Sequence, residues 1–173
     1  MKTNKLMTLL FLAAALASSC SSDDDNDIPE LVNEEEVITT MNVTLTAPGG
    51  DVITFQSRDL DGDGPNAPVI TVSGPLAVNT IYSGEVELLN QTETPADNIT
   101  LEVMEENEEH QLFFSNTDAL DVSFAYADTE NDYDDDASND DDDANPVGIL
   151  FTLSTVEASS GTVSITLIHE PEK

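Results

Sequence analysis

From about position 31 onward the apolar residues come in short runs that alternate with polar ones, the period of strands with one buried and one wet face. Val37, Met41, Val43 and Leu45 share one parity with Thr39, and Ile38 falls on the other with Thr40, Asn42, Thr44 and Thr46. The run stops at Ala47-Pro48-Gly49-Gly50, so a turn is expected there, with Val52 to Gln56 returning beside the first strand. Val69 to Ser73 is a further β-branched run, bracketed by Pro68 and Gly74-Pro75. In Thr80 to Leu89, Tyr82, Val86 and Leu88 fall on one face, and Gly84 marks a place for a bulge or bend.

Asn90 to Asn98 reads as a surface connection, after which Ile99, Leu101 and Val103 alternate with Thr100, Glu102 and Met104 as in a strand. The apolar signal resumes at Leu112-Phe113-Phe114. Glu105, Glu106, Glu108 and Glu109 in between fit one helical turn or an acidic strand edge equally well. Leu120, Val122, Phe124 and Tyr126 share a face, as do Ile149, Phe151 and Leu153, and then Val163, Ile165 and Leu167. The Ser159-Ser160-Gly161 turn suggests that the last two of these runs form a hairpin.

About seven strands with polar alternate faces predict a mostly β domain over residues 31–173, an antiparallel two-sheet β-sandwich. Its length suffices for one core and not comfortably for two. An eight-stranded barrel lacks a closure signal, and a parallel α/β core would need helical crossovers that the chain has little sequence to supply.

The first twenty residues have a different pattern. Lys2 and Lys5 precede an apolar run from Leu6 to Leu16, and the small residues Ala17, Ser18 and Ser19 lead to Cys20. This is the layout of an export signal over residues 1–19, and the run is too short to cross a bilayer as a helix. Leu16-Ala17-Ser18-Ser19-Cys20 resembles a bacterial lipobox, with the bulky Leu one place further from the cysteine than in the commonest form. Cys20 is the only cysteine, so it is expected to carry lipid, and no intramolecular disulfide is available to the domain. An ordinary signal peptide with a chance cysteine and a buried membrane helix are the alternatives. Residues 20–30, with Ser21-Ser22-Asp23-Asp24-Asp25-Asn26-Asp27, are too polar and like-charged to pack and are expected to form a disordered acidic tether.

Charge narrows the partners. Once the leader lysines are set aside, Arg58 and Lys173 face 36 acidic residues. That field opposes nucleic acid and direct adhesion to anionic lipid, and favours cations, basic partners or simple solubility.

Two acidic centres are candidates for cations. Asp59, Asp61 and Asp63, followed by Gly64, offer oxygen donors two residues apart on a turn, the chemistry calcium takes. The twelfth position of a helix-flanked calcium loop would fall on Ile70 instead of Glu, so backbone carbonyls and distant carboxylates would have to complete the shell. An Asp-rich turn with no ion is the alternative. The second centre, Asp128 to Asp143, holds ten carboxylates in sixteen residues. It is expected to be a disordered acidic loop spanning about 128–144, with Asp128, Asp132 and Asp134 as a subset able to gather around an ion. Zinc has no evident Cys or His cluster.

No nucleophile elbow or phosphate loop is present. His110, after a run of glutamates, and His169, beside Glu170, are expected to bond backbone oxygens and not to act as catalytic bases.

The stretches Phe55 to Asn66, Asn79 to Thr92, Ile99 to Phe114 around Glu108-Glu109-His110-Gln111, Asn145 to Leu150, and Gly161 to Lys173 together resemble a family of small uncharacterised lipoproteins of Flavobacteriia and related Bacteroidota. The acidic stretch behind Cys20 likewise resembles a flavobacterial signal for export to the outer face of the outer membrane. The resemblance implies a lipid-anchored outer-membrane protein, surface-exposed or facing the periplasm. Members of that family are sometimes labelled as having a type 1 periplasmic-binding fold, whereas this length and strand pattern cannot supply two α/β lobes. In the family the turn before the equivalent of Pro146-Val147-Gly148 is short, and here it is enlarged into the acidic run. The expected function is a non-enzymatic accessory or binding lipoprotein, calcium-stabilised, with a protein or glycan partner. A structural subunit of an outer-membrane uptake assembly and an uncharacterised enzyme are the alternatives.

Overall fold

A computed structural model of the protein describes residues 36–62, 64–134 and 144–173. The expected leader and tether, Cys20, Asp63 and the middle of the acidic run lie outside the described residues.

The fold is mostly β with two antiparallel sheets, as the alternation predicted. Nine strands are present among the described residues: β1 Thr40–Thr46, β2 Val52–Arg58, β3 Val69–Val72, β4 Ile81–Asn90, β5 Asp97–Asn98, β6 His110–Asn116, β7 Val122–Tyr126, β8 Leu150–Thr155 and β9 Val163–His169. The large sheet runs β3-β2-β1-β4-β8-β7, with the two-residue β5 also on β4, and β6 and β9 form the small sheet.

The long strand β4 organises the large sheet. Its residues alternate between exposed and buried along most of its length, putting Tyr82, Gly84, Val86 and Leu88 inside. One edge takes β1 in register from Ser83 to Leu89, and the other takes β8 and then β5. Between those two the hydroxyl of Thr100 accepts from Leu88 N and donates to Leu88 O, at 2.8 and 3.3 Å, filling an interval in the strand pairing.

Gly84 is not a bulge. It pairs regularly with Leu45 on one side and Phe151 on the other, and its lack of a side chain admits the Phe151 ring, whose Cε1 would lie 2.6 Å from a Cβ at that position. A glycine inside a strand here serves close packing and not a bend. Phe151 in turn meets Phe114 of the small sheet at 4.5 Å and Phe124 of β7 at 5.9 Å between ring centroids, so one aromatic group joins the two layers.

The sequence expectation fails at two elements. Ile99 to Met104 is not a strand: Thr100–Glu105 is a short helix, α1. The N-cap Ile99 and Val103 within the helix, both buried, are four apart, one helical turn, and so reach the core from the same side. The last two strands are not a hairpin either, because β8 pairs with β4 and β7 whereas β9 pairs with β6. The connection crosses between sheets, held where Asp121 N donates to Ser159 Oγ at 2.8 Å and Thr162 N donates to Thr117 Oγ1 at 3.1 Å. Two α/β lobes are absent among the described residues, whose helices are α1 and the 3-10 turn Glu130–Asp132.

Gly84→Ala is expected to cost about 1–3 kcal/mol through overpacking against Phe151. Urea unfolding should show a lower midpoint at unchanged slope, and adding Phe151→Leu to that variant should recover part of the loss.

Candidate functional site

The Asp59 turn connects β2 to β3. Asp59 Oδ1 accepts from Asp61 N and Gly62 N at 3.3 and 3.1 Å, and Asp61 Oδ2 accepts from the Asn66 side chain at 2.7 Å. The Asn66 contact lowers the Asp61 carboxyl below its ordinary pKa. The described part of the turn thus closes through its own hydrogen bonds, and Asp63, the third residue of the calcium expectation, lies outside the described residues.

The acidic run begins in order. Asp128 is buried, with Oδ1 accepting from Gly148 N at 2.7 Å and Oδ2 from Leu150 N at 2.8 Å and from the Tyr133 hydroxyl at 2.7 Å. Burial first, then this hydrogen bond and the charge of Asp128, push the Tyr133 phenol far up, so it stays a donor. Asp132 Oδ2 accepts from Thr129 N at 2.7 Å, capping the 3-10 turn. Glu130 Oε2 accepts from Asn145 N at 2.9 Å and ties the two described ends of the run together. Glu130 Oε1 takes the Lys173 ammonium at 2.6 Å. The described parts of the run, 128–134 and 144, are therefore ordered, because buried Asp128 and its more exposed neighbours Glu130 and Asp132 found N–H donors. Asp128 and Asp132 spend oxygens on the protein itself, which gives no support to the cation cluster expected of Asp128, Asp132 and Asp134.

The register of the small sheet sets His110 directly opposite His169. Their rings stack at 4.7 Å between centroids, 8° from parallel. His110 is fully buried, its Nδ1 is 3.1 Å from Glu106 O, and its Nε2 is 3.1 Å from Glu36 Oε1. His169 Nε2 lies 3.5 Å from Glu109 Oε2. His110 reaches a backbone oxygen, as expected, whereas the oxygen beside His169 is a carboxylate oxygen of Glu109, and the meeting of the two rings was missed. A signal for it lay in the sequence: Glu109-His110 opens one apolar run and His169-Glu170 closes another, so antiparallel pairing of the two brings the histidines face to face.

β2 packs Ile53 and Phe55 against the core, whereas β3 beyond it is exposed at all four residues. Val69, Ile70 and Val72 of the edge strand β3 are 62%, 64% and 58% exposed. A cleft of about 790 Å³ runs beside this edge, walled by Phe55, Ile70, Val72 and Leu76 on one side and Val163 and Ile165 on the other. Asp121 and Glu157 stand on its rim.

No family model, curated protein or solved structure matches the chain. Among the described residues no helix is long and apolar enough to cross a membrane.

Asp128→Asn is expected to destabilise the domain by about 2–3 kcal/mol, because an amide cannot accept from all three donors and leaves a buried N–H unpaired. Amide exchange should accelerate first at Gly148 and Leu150. For Glu130, burial raises the pKa, but the Lys173 ammonium and the Asn145 donors outweigh it and hold the carboxyl below its ordinary value. A lowered folded pKa means stability that is present above the unfolded pKa, about 4.3, and lost as pH falls through the folded value. The cost of Glu130→Gln in urea melts should therefore be larger at neutral pH than below pH 4, as estimated from that reference value.

Proposed function

We propose that this protein is a non-enzymatic binding lipoprotein, tethered to the outer membrane through lipid on Cys20, whose domain takes an extended segment of a partner protein along β3 and into the adjoining cleft. The observation that carries this reading is the bare edge of β3. A strand of exposed Val and Ile at the end of a sheet offers main-chain pairing to another strand, and the cleft beside it offers apolar walls for alternate side chains. Natural edges are ordinarily blunted by charge, bulges or a cover; β3 is short, carries no charge or bulge within its four residues, and has no covering strand among the described residues.

A protein partner fits better than a glycan. Half-buried Phe55 is the one aromatic residue among the described residues that line the cleft, whereas sugar recognition favours exposed aromatic faces, and the exposed aromatics Phe113 and Tyr126 do not line it. The acidic rim and the acidic chain as a whole select a segment with basic flanks, which also steers its approach.

A photo-crosslinking side chain at Ile70, in native membranes, tests this against the same group at Leu101, which is exposed on α1. A protein adduct is expected at Ile70 and not at Leu101. Val72→Lys should reduce it several-fold with an unchanged melting temperature, and added salt should weaken it. Equal labelling at the two positions, or an adduct indifferent to Val72→Lys, would overturn the proposal.

A further inference from the structure

The end of the small sheet opposite the cleft gathers two histidines and three carboxylates from separate parts of the chain. The ligating atoms of Glu36, His110 and His169 lie within 4.8 Å of one another, and so do those of Glu109, His169 and Glu170. The backbone holds this corner closed, with Glu170 N donating to Glu109 O at 2.7 Å and Glu170 at a left-handed φ of 50°.

His110 is the informative member. A carbonyl oxygen only accepts, so the contact with Glu106 O puts a proton on Nδ1. In the neutral ring this leaves the Nε2 lone pair facing the cluster, and Nε2 is a buried nitrogen with no hydrogen-bond partner although Glu36 Oε1 stands 3.1 Å away. A buried imidazole nitrogen left without a partner beside a carboxylate oxygen that is close but not aligned with it is unfavourable unless a cation sits between them or a second proton is taken up. The 3.1 Å between His110 Nε2 and Glu36 Oε1 is compatible with the first as well as with the second: donors bound to one ion at about 2.0–2.1 Å, with angles between octahedral and tetrahedral, stand about 2.9–3.4 Å apart.

We propose that Glu36, His110 and His169 form a site for a first-row transition-metal dication, with zinc as the reference ion. Two imidazoles and a carboxylate are a donor set for this class and a poor one for calcium, which takes oxygen almost exclusively. Glu106 O orients His110 in the way outer partners orient ligating histidines. The rings are stacked, so their in-plane lone pairs run side by side, and closure requires His169 to turn. It is the member with room to do so, at 27% side-chain exposure against 0% for His110. Glu109 and Glu170 flank it with further negative charge, and water or one of these carboxylates completes the shell. The site is separate from the β3 edge, so either proposal stands without the other.

The test uses the full chain titrated with Co²⁺ in excess calcium, which occupies hard oxygen sites on the acidic surface. The expected result is a one-to-one visible d–d spectrum that zinc abolishes, together with a zinc-dependent rise in melting temperature. His169→Gln and Glu36→Gln should each weaken zinc binding by at least about tenfold, while Asp59→Asn with Asp61→Asn leaves it unchanged. His169 is at the rim, so its variant is expected to fold, which circular dichroism checks. Equal zinc affinity in His169→Gln and the parent would overturn the site by assigning the ion to the acidic surface. So would ¹⁵N imidazole shifts showing both His110 nitrogens protonated at neutral pH with equimolar zinc, since the Glu36 contact would then be an ion pair.

Discussion

Cations are scarce in this chain, and the structure is shaped by that scarcity. Beyond Lys2 and Lys5, two basic side chains face 36 acidic ones, so a carboxylate that is held in place must in most cases find its donor elsewhere. It finds the backbone. Asp128 draws on the amides of Gly148 and Leu150, Asp59 on those of Asp61 and Gly62, Asp132 on Thr129, and Asp121 on Glu157 at 3.2 Å. An ionised acceptor makes the stronger class of hydrogen bond. Because amides are fixed by φ and ψ, each such bond also dictates the path of the chain, which a flexible lysine would not.

Asp128 shows how far this reaches. It stands where the chain leaves β7, and its donors stand where the chain enters β8, so one carboxylate closes a long acidic excursion against the sheet. Val147 and Gly148, held in that closure, then touch the small sheet: Leu112 N donates to Val147 O at 2.7 Å, and Gly148 adopts φ 91° directly over Leu112. Tyr126 adds a hydroxyl bond to Leu112 O at 2.9 Å. A two-stranded ribbon is marginal alone in water. Here β6 is fastened by main-chain bonds as well as by the Phe114 contacts, and the β6–β9 pair becomes a true second layer.

What was legible in the sequence was whatever depends on near neighbours. Period-two alternation placed β4 and β9, and the Ala47 to Gly50 turn placed the β1–β2 hairpin, since both are set within a few residues. The partner of β9 was not legible. A Ser-Ser-Gly turn permits a hairpin, but the choice between pairing locally and crossing to β6 is made by core packing and by the Thr117 and Asp121 contacts. Six residues from Ile99 to Met104 satisfy a strand and a helix pattern alike, and Thr100 bonding to Leu88 decides for the helix. The histidine pair was hidden for the same reason as the crossing: its geometry is a consequence of the β6–β9 register. The acidic turns were visible as chemistry, but whether their oxygens point to an ion or to amides is a matter of backbone conformation that composition does not carry.

The strand β9 joins the two proposed sites. Val163 at its start forms part of the cleft wall, and His169 at its end belongs to the histidine cluster. Strand ends are where local opening begins, at a free energy well below that of global unfolding. A cation that ties His169 to His110 stabilises the paired form of this ribbon, and a segment packed against Val163 and Ile165 stabilises the same form from the other end. Two ligands that favour one conformation over another must strengthen each other equally, and the coupling cannot exceed the free energy of the opening they both suppress. If β9 is fully paired in the free domain, that limit is near zero and the sites are independent neighbours. Measurable fraying of β9 would make them cooperative, through a strand that pairs with β6 alone among the described residues.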